Sequence, residues 1–274
     1  MSTLKRIAAL ATAAMLASCG GGGDPGTSPF GASGNDSGIS PFPSGGAPPA
    51  AGMTAEGVYG GTLSGSPSTA FRLLVLEDGS FWSMYGTATA SVFGVAGFTQ
   101  GAGTSVNGTF TSTNAKDFGF YPAVAGTATA TYNTNAGTIS GTSVTSSGTV
   151  GFSGGPIADS LYNYSAAANL STVSGSWVTS SLTGESVAVS IGANGAVTGT
   201  SSLGCNFAGN VAPRPSGKNV YNVTLTFGPS PCLLAGQAAT GIAVAYPLAS
   251  GQTQLVVAVT DLSRTAGTAV FGTR

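Results

Sequence analysis

The stretch FRLLVLEDGSFWSMY, residues 71–85, predicts a β hairpin. In its first half every second residue belongs to the same face. Phe71, Leu73 and Val75 form one set, and Arg72, Leu74 and Leu76 form the other. Such alternation is typical of a strand. An Asp-Gly pair between apolar β-formers favours a type I′ turn, in which both central residues have positive φ. We therefore predict two antiparallel strands joined by a tight turn at Asp78-Gly79.

The same signals recur along the chain. Asn107-Gly108 and Asn194-Gly195 each precede a β-forming segment, and they predict two further type I′ hairpins. Other segments of strand length are Thr127–Tyr132, Thr138–Val144, Val187–Ile191, Val220–Phe227, Gly241–Tyr246 and Leu255–Val259. No window has the period, cap and stop of an amphipathic helix, although residues 166–170 suffice for one turn between strands. The sequence thus predicts an all-β protein.

An internal repeat divides the folded region. Gly57-Val58-Tyr59 and Gly175-Ser176-Trp177 are each followed, at similar spacing, by an apolar strand and a tight turn. We predict two tandem antiparallel meander units, small β barrels or sandwiches, as a first β domain at 55–165 and a second at 169–274. Closure into barrels would hide the edge strands. One larger barrel or sandwich that draws strands from both halves is the alternative that the spacing leaves open.

The amino-terminal segment has the order of an export signal: Lys5-Arg6, an apolar run, then small residues before Cys19. The apolar run Ile7–Ala17 is too short to cross a bilayer core, which needs about 20 residues. We predict a signal peptide at residues 1–18. Gly, Pro and Ser dominate the following residues, and such a composition predicts a flexible linker. Residues 19–54 are therefore expected to be a tether.

Composition excludes several classes of function. Charged residues make up only 6% of the chain, and the acidic ones outnumber the basic ones, 9 to 8. Nucleic acid is therefore not expected as a partner, because its binding needs clustered Lys and Arg. The chain has no histidine, which rules out histidine-dependent triads, dyads and zinc sites. We expect no metal site and no cofactor.

The acidic side chains of the folded region do not form a recognisable catalytic pair. They are Glu56, Glu77, Asp78, Asp117, Asp159, Glu185 and Asp261. Glu77 and Asp78 fall in the predicted turn, where an exposed role in a hairpin is expected. Asp261 and Arg264 flank a loop and are expected to form a surface pair. Neither Lys116 nor Lys218 lies in a Ser-x-x-Lys setting. We predict no catalytic residue, and hence a protein that is not an enzyme.

Aromatic residues are the candidates for contact with a ligand or partner. Six of them either line a pocket for an apolar or sugar ligand or, as in most small β domains, simply pack in a core. They are Tyr59, Trp82, Tyr85, Phe93, Phe98 and Trp177. Phe118–Pro122 is expected to be an exposed aromatic loop. The residues predicted to contact a ligand or partner are Trp82, Tyr85, Phe120 and Tyr121.

Cys205 and Cys232 are the cysteines that remain beside Cys19. Two cysteines in an exported chain most often pair, and a metal site would want more Cys or His ligands than this chain has. We predict a Cys205–Cys232 disulfide. In the chain-entropy model, closing a loop of this size stabilises the fold by about 3 kcal/mol.

The segment Leu16-Ala17-Ser18-Cys19 resembles the lipobox of bacterial lipoproteins. The resemblance implies cleavage before Cys19 and acylation, palmitate included, of its thiol and new amino terminus. Gly20 stands where lipoproteins kept at the inner membrane typically carry Asp, so the same resemblance implies a lipid anchor in the outer membrane.

Most of the mature chain resembles uncharacterised lipoproteins of Gram-negative bacteria, of the β-proteobacterial type, a family that lends no established activity. Beyond the lipobox, the segments that carry this likeness are Leu74–Asp78, Asn107–Ser112, Gly204–Gly209, Pro213–Val220 and Gly267–Phe271. The chain is similar to transferrin-binding-type surface lipoproteins only in its lipid anchor, its Gly-rich tether and its tandem β units.

These observations predict a non-enzymatic, lipid-anchored envelope protein. Its partners are expected to be the membrane, through the anchor, and a protein or glycan held by a structural or partner-binding β module. The alternative is a carrier of a small apolar ligand inside a barrel. A cavity inside a barrel would favour the carrier, whereas filled barrels with aromatic loops outside would favour contact with a protein or glycan.

Overall fold

The structure is a computed structural model that describes residues 54–89, 92–158 and 160–274. These residues belong to one compact unit and form two tandem antiparallel barrels, which confirms the all-β prediction and the division into two units. The predicted signal peptide, Cys19 and nearly all of the predicted tether lie outside the described residues.

The first barrel is built, within the described residues, of nine strands. They are β1 (Gly57–Ser64), β2 (Ala70–Val75), β3 (Ser80–Ala88), β4 (Phe93–Ala102), β5 (Thr104–Val106), β6 (Thr109–Asp117), β7 (Val124–Asn133), β8 (Thr138–Thr145) and β9 (Gly148–Gly155). Strand β1 pairs with both β2 and β9. Strand β5 lies at the edge of β6, and the ring closes where β4 meets β6. This closing seam has only two residue pairs, Thr99 with Asp117 and Gln100 with Lys116.

The second barrel closes through a pairing of its first and last strands. Its strands are β10 (Gly175–Ser181), β11 (Ser186–Ile191), β12 (Ala196–Ser201), β13 (Asn206–Pro213), β14 (Tyr221–Phe227), β15 (Ala238–Pro247), β16 (Thr253–Asp261) and β17 (Gly267–Thr273). A four-residue helix, α1 (Leu170–Val173), precedes β10 and is capped by the side chain of Asn169. Among the described residues, no helix is long and apolar enough to cross a membrane.

The three predicted hairpins form, but only one has the predicted turn. Asn107 and Gly108 have φ of 48° and 78°, which confirms the type I′ turn there. At the other two turns only the glycine, Gly79 or Gly195, has positive φ. The type I′ prediction is wrong at these two sites, because each loop has three residues and ends in a left-handed glycine, so the preceding Asp78 or Asn194 needs no positive φ.

Strands β2, β3, β4, β15, β16 and β17 are covered on both faces. Along β2, Phe71, Leu73 and Val75 point into the first barrel. Leu74 points out into an apolar core between the two barrels. The second barrel supplies residues from β15, β16 and β17 to this inter-barrel core: Ile242, Val244, Tyr246, Val256, Ala258 and Ala269. The barrels are therefore joined by buried apolar surface.

Three aromatic rings form a stack in the inter-barrel core. The Trp82 and Phe98 ring centroids are 5.8 Å apart, and those of Phe98 and Phe118 are 4.9 Å apart. The stack reaches the second barrel at Gly267, where an added Cβ would lie 2.7 Å from the Phe118 ring and 2.8 Å from the Phe98 ring. A side chain at residue 267 would therefore push the barrels apart.

Polar contacts surround the apolar core between the barrels. Arg214, which follows β13, forms ion pairs of 2.6 Å with Glu77 and 2.7 Å with Asp78 at the tip of the exposed β2–β3 turn. Gln254 on β16 is fully buried, and its amide group binds the backbone N–H and C=O of Phe93 on β4. The second barrel thus holds the β2–β3 hairpin and strand β4 of the first.

The interior of the second barrel is filled by side chains. An apolar space of about 50 Å³ lies among these side chains, too small for more than a few atoms. The predicted disulfide is confirmed: Cys205 and Cys232 are bonded, with their Cα atoms 4.6 Å apart. It joins the start of β13 to the loop after β14.

The prediction that Asp261 and Arg264 form a surface pair is wrong. Asp261 is buried and accepts hydrogen bonds from Ser263, Thr265 and Ala266 inside its own turn. Arg264, whose backbone has a left-handed φ of 54°, points toward the first barrel and donates to the carbonyl oxygen of Gln100.

Candidate functional site

The first barrel, unlike the second, contains a cavity of about 320 Å³. Aromatic and aliphatic side chains from six strands form most of its wall. They are Phe71, Leu73, Phe81, Phe110, Ala128, Ala130, Ile139 and Phe152. Strand alternation places these residues inside, because their neighbours in the sequence point outward. The cavity is therefore part of the barrel lumen and not a surface groove.

One end of the lumen is filled by side chains. Tyr59, Tyr132 and Ala55 pack there against Val75 and Phe81. The hydroxyl of Tyr59 donates to the carbonyl oxygen of Ala55 at 2.9 Å, and burial, with smaller contributions from Tyr132 and Glu56, raises the pKa of Tyr59 to about 12. This end is closed.

The opposite end is the mouth of the cavity. The β1–β2 turn at residues 65–68, the β8–β9 turn and the loop between β6 and β7 surround it. Hydroxyl side chains are concentrated at this end: Ser66, Ser68, Ser143, Thr145 and Ser147. Phe120, in the β6–β7 loop, also borders the cavity although 51% of its surface is exposed. A ligand would therefore pass polar groups before it reaches the apolar interior.

A tyrosine–carboxylate pair lies near the mouth. The Tyr85 hydroxyl donates to Asp117 Oδ1 at 2.5 Å, and the Gly119 N–H donates to the same oxygen at 2.8 Å. Burial raises the pKa of Tyr85, and the hydrogen bond to Asp117 and its charge raise it further. Tyr85 is therefore a neutral hydrogen-bond donor at physiological pH.

Two glycines make room for this pair. An added Cβ would lie 2.3 Å from the Tyr85 hydroxyl at Gly97 and 1.9 Å from it at Gly119. Tyr85 on β3 can therefore reach over Gly97 on β4 to Asp117 on β6. The hydrogen bond between them spans the closing seam of the barrel.

Among the described residues that line the cavity, Asp117 is the one that carries a charge. The described residues contain ion pairs at Arg214 and Lys218, and neither includes Asp117. Both of its hydrogen bonds go to Oδ1, and no described residue donates to Oδ2. One carboxylate oxygen thus remains open to a donor from outside the protein.

The predicted contact residues separate into three groups. Tyr85 and Phe120 line the cavity. Tyr121 follows Phe120 in the same loop and is 71% exposed. Trp82 alternates with Tyr85 in β3, faces the other side of the sheet and packs in the inter-barrel core. The expected exposed aromatic loop begins with Phe118, which is buried in that same core.

Asp117 was not among the predicted contact residues. Its inward orientation depends on a β-bulge in β6 between Ser112 and Ala115. A strict period of two from Phe110 would place Asp117 outside the barrel, and the bulge reverses the alternation. The sequence did contain one sign of a polar site here: the charged residues Lys116 and Asp117 stand next to each other at the end of an alternating strand.

The site shows no grouping that would bind a metal ion. Within residues 54–89, 92–158 and 160–274, no three His, Cys, Asp or Glu side chains come together. Apolar walls with one carboxylate and several hydroxyls are suited to binding a ligand.

Comparison with known proteins gives a weak structural likeness. Neither a family model nor a curated protein sequence matches the chain. A crystal structure of a protein of unknown function of the DUF3598 family, from Nostoc punctiforme, is similar at 10% sequence identity and a TM-score of 0.24. The match covers 80% of this chain and 94% of that one.

Proposed function

We propose that this protein is a non-enzymatic carrier whose first barrel holds a small, mainly apolar ligand. The observation that supports this is the contrast between two barrels whose closed rings each have eight strands, one filled and the other with a cavity of about 320 Å³. An eight-stranded barrel is just wide enough either to be filled by side chains or to hold one small ligand. The first barrel leaves that space open at an energetic cost.

The cavity size limits the ligand. A cavity of about 150 Å³ lined by apolar side chains holds a benzene molecule. The cavity of the first barrel has about twice that volume, so it has room for a molecule about twice as large as benzene. Burial of such a ligand against Phe71, Phe110 and Ile139 would provide most of the binding free energy, at about 25 cal/mol per Å² of apolar surface.

Displacement of a neutral fluorescent probe, N-phenyl-1-naphthylamine, tests the carrier function. Ala128 faces the cavity from β7, while Ala125 on the same strand is exposed. We expect wild type to bind the probe, Ala128→Phe to lose at least tenfold in affinity by filling the lumen, and Ala125→Phe to bind as wild type. Absence of probe binding to the wild type, or equal binding by all three proteins, would contradict the proposal.

A second candidate function is contact with a protein or glycan through the β6–β7 loop. It is supported by the exposure of Phe120 and Tyr121 beside each other at the barrel mouth. Cross-linking of whole cells should then capture an envelope partner with the wild type but not with a Phe120→Ser/Tyr121→Ser variant. Unchanged capture by the variant would remove this candidate.

The place of action that we propose is the outer membrane of a Gram-negative envelope, through a lipid anchor on Cys19. The support is the sequence alone: the lipobox-like residues 16–19 and the Gly-rich run after them. Two acyl chains suffice for stable attachment to a bilayer. A Cys19→Ser variant should therefore leave the membrane fraction, and its retention there at wild-type levels would contradict the anchor.

A further inference from the structure

We propose that the ligand of the first barrel is an amphiphile with a cationic, hydrogen-bond-donating head, a primary amine on an apolar body, and that Asp117 holds that head. This inference rests on the proposed carrier function and specifies its ligand. It follows from the charge inside the cavity, the unused hydrogen-bonding capacity of that charge, and the arrangement of the polar groups around it.

The charge at the site is negative and local. Asp117 is the charged member of the cavity lining, and it forms no ion pair with any described residue. Its neighbour Lys116 points away and donates to the carbonyl oxygens of Ser263 and Arg264. A carboxylate ligand would therefore be repelled at the mouth, whereas an ammonium group would be attracted.

The hydrogen bonds of Asp117 leave one position for a ligand. Tyr85 and the Gly119 N–H both donate to Oδ1 and fix the orientation of the carboxylate. Oδ2 receives no hydrogen bond from the described residues. A bond from an ammonium group to a carboxylate is charge-assisted and about twice as strong as a bond between neutral groups.

The remaining N–H groups of an amine would also find acceptors. Ser83, Thr99 and Asp117 are neighbours in register on β3, β4 and β6, and all three line the cavity. They form a polar row across the wall near the mouth. An ammonium group has three donors, and this row presents two hydroxyls and one carboxylate.

The apolar part of the ligand would lie deeper in the barrel. Beyond the polar row the wall is formed by Phe81, Phe110 and Ile139. The far end is sealed by Tyr59. The polar mouth and apolar lumen therefore fix the direction in which an amphiphile binds.

Three ligands with the same apolar chain and different heads test the inference: decylamine, 1-decanol and decanoate, each below its micelle-forming concentration. Each competes with N-phenyl-1-naphthylamine for the wild-type protein at pH 7. We expect decylamine to bind at least tenfold more tightly than decanoate, with 1-decanol between them, because the charge of Asp117 strengthens a hydrogen bond from the ammonium head and repels the carboxylate head.

The variant Asp117→Asn keeps the shape of the side chain and an acceptor for Tyr85 while it removes the charge. It should lose the preference for decylamine over decanoate. The control, Glu185→Gln, removes the same charge from the β10–β11 turn of the second barrel, and should keep the full preference.

The outcomes separate this inference from the carrier function. If decanoate binds the wild type as tightly as decylamine, or if Asp117→Asn keeps the preference, the amine assignment is overturned while the carrier function stands. If neither the probe nor any of the three ligands binds, the carrier function itself is contradicted. The comparison of heads on the wild type does not depend on how well any variant folds.

Discussion

Tyr59 and Trp177 occupy equivalent positions in the two barrels. Each is the third residue of the first strand, and each strand begins with a glycine of positive φ, Gly57 at 148° and Gly175 at 113°. The Tyr59 hydroxyl donates to the carbonyl oxygen four residues earlier at 2.9 Å, and the Trp177 indole N–H does the same at 2.7 Å. The internal sequence repeat thus corresponds to a repeated structure.

Replacement of Trp177 by Phe should destabilise the second barrel by about 1–3 kcal/mol, because the buried carbonyl oxygen of Val173 loses its donor. The Arg274 guanidinium, 4.0 Å from the indole ring, also loses part of its cation–π contact. Urea unfolding measures the change. The control Val178→Ala alters an exposed neighbour and should shift stability by less than about 0.5 kcal/mol; equal effects of the two changes would contradict the prediction.

Removal of the disulfide should destabilise the protein by about 3 kcal/mol, since the bond closes a loop between residues 27 apart in sequence. The double variant Cys205→Ser/Cys232→Ser tests this in urea. Because the bond lies in the second barrel, probe binding by the folded variant should stay within twofold of wild type. A large loss of binding with unchanged stability would contradict both parts.

Gln254 should contribute strongly to the junction of the barrels. Its side chain is fully buried and pairs with both backbone groups of Phe93, at 3.3 Å and 2.8 Å. Gln254→Leu would leave two buried polar groups unpaired, so we expect a loss of about 2 kcal/mol or more. Gln252→Leu, two residues away and exposed, is the matched control and should be nearly neutral in thermal unfolding.

The lowered pKa of Asp261 predicts that the folded protein loses stability in acid. Burial raises the pKa of this carboxyl, but hydrogen bonds from Ser263, Ala266 and Thr265 and the charge of Lys116 outweigh burial and hold the pKa below its usual value. A carboxyl with a lowered folded pKa stabilises the fold above its unfolded pKa of about 3.9, and this contribution is lost as the pH falls through the folded pKa.

The measurement is urea unfolding of wild type and Asp261→Asn between pH 7 and pH 2. The variant should be less stable at pH 7, and the difference between the two proteins should shrink below about pH 4. A constant difference over the whole range would show that the carboxyl charge does not stabilise this turn.

The sequence predicted the strands well, because they depend on local signals, and it predicted the disulfide because Cys205 and Cys232 are the two cysteines of the folded region. Alternation at Phe71–Leu76 and the glycine of each turn suffice to define hairpins. The internal repeat indicated two units because each repeat carries its own first strand, with Tyr59 or Trp177 at its start. These features need no knowledge of distant contacts.

Contacts between the barrels were not predicted, although the sequence contained a sign of them. Gly241–Tyr246 and Leu255–Val259 are apolar at nearly every position, which is typical of strands covered on both faces. The period of two tells which residues share a face but not what covers the outer face. Trp82 was accordingly predicted to contact a ligand and instead packs between the barrels. The cavity depends on the volumes of side chains that distant strands bring together.

Arg264 of the second barrel contacts the closing seam of the first barrel. The same Nη2 atom donates at 2.8 Å to the carbonyl oxygens of Gln100 on β4 and Asn114 on β6. One side chain of the second barrel therefore holds the two strands that only two residue pairs join. The seam is also the wall that carries Asp117.

Arg264→Ala should loosen this seam locally. Amide hydrogen exchange at Gln100 and Lys116 should become at least tenfold faster, while exchange on β14 of the second barrel should not change. Release of a bound probe should also become faster, because the wall beside the mouth opens more often. Arg274→Ala, which removes an arginine outside the seam, is the control. If the control speeds exchange at Gln100 as much as Arg264→Ala does, closure of the first barrel does not depend on the contact from the second.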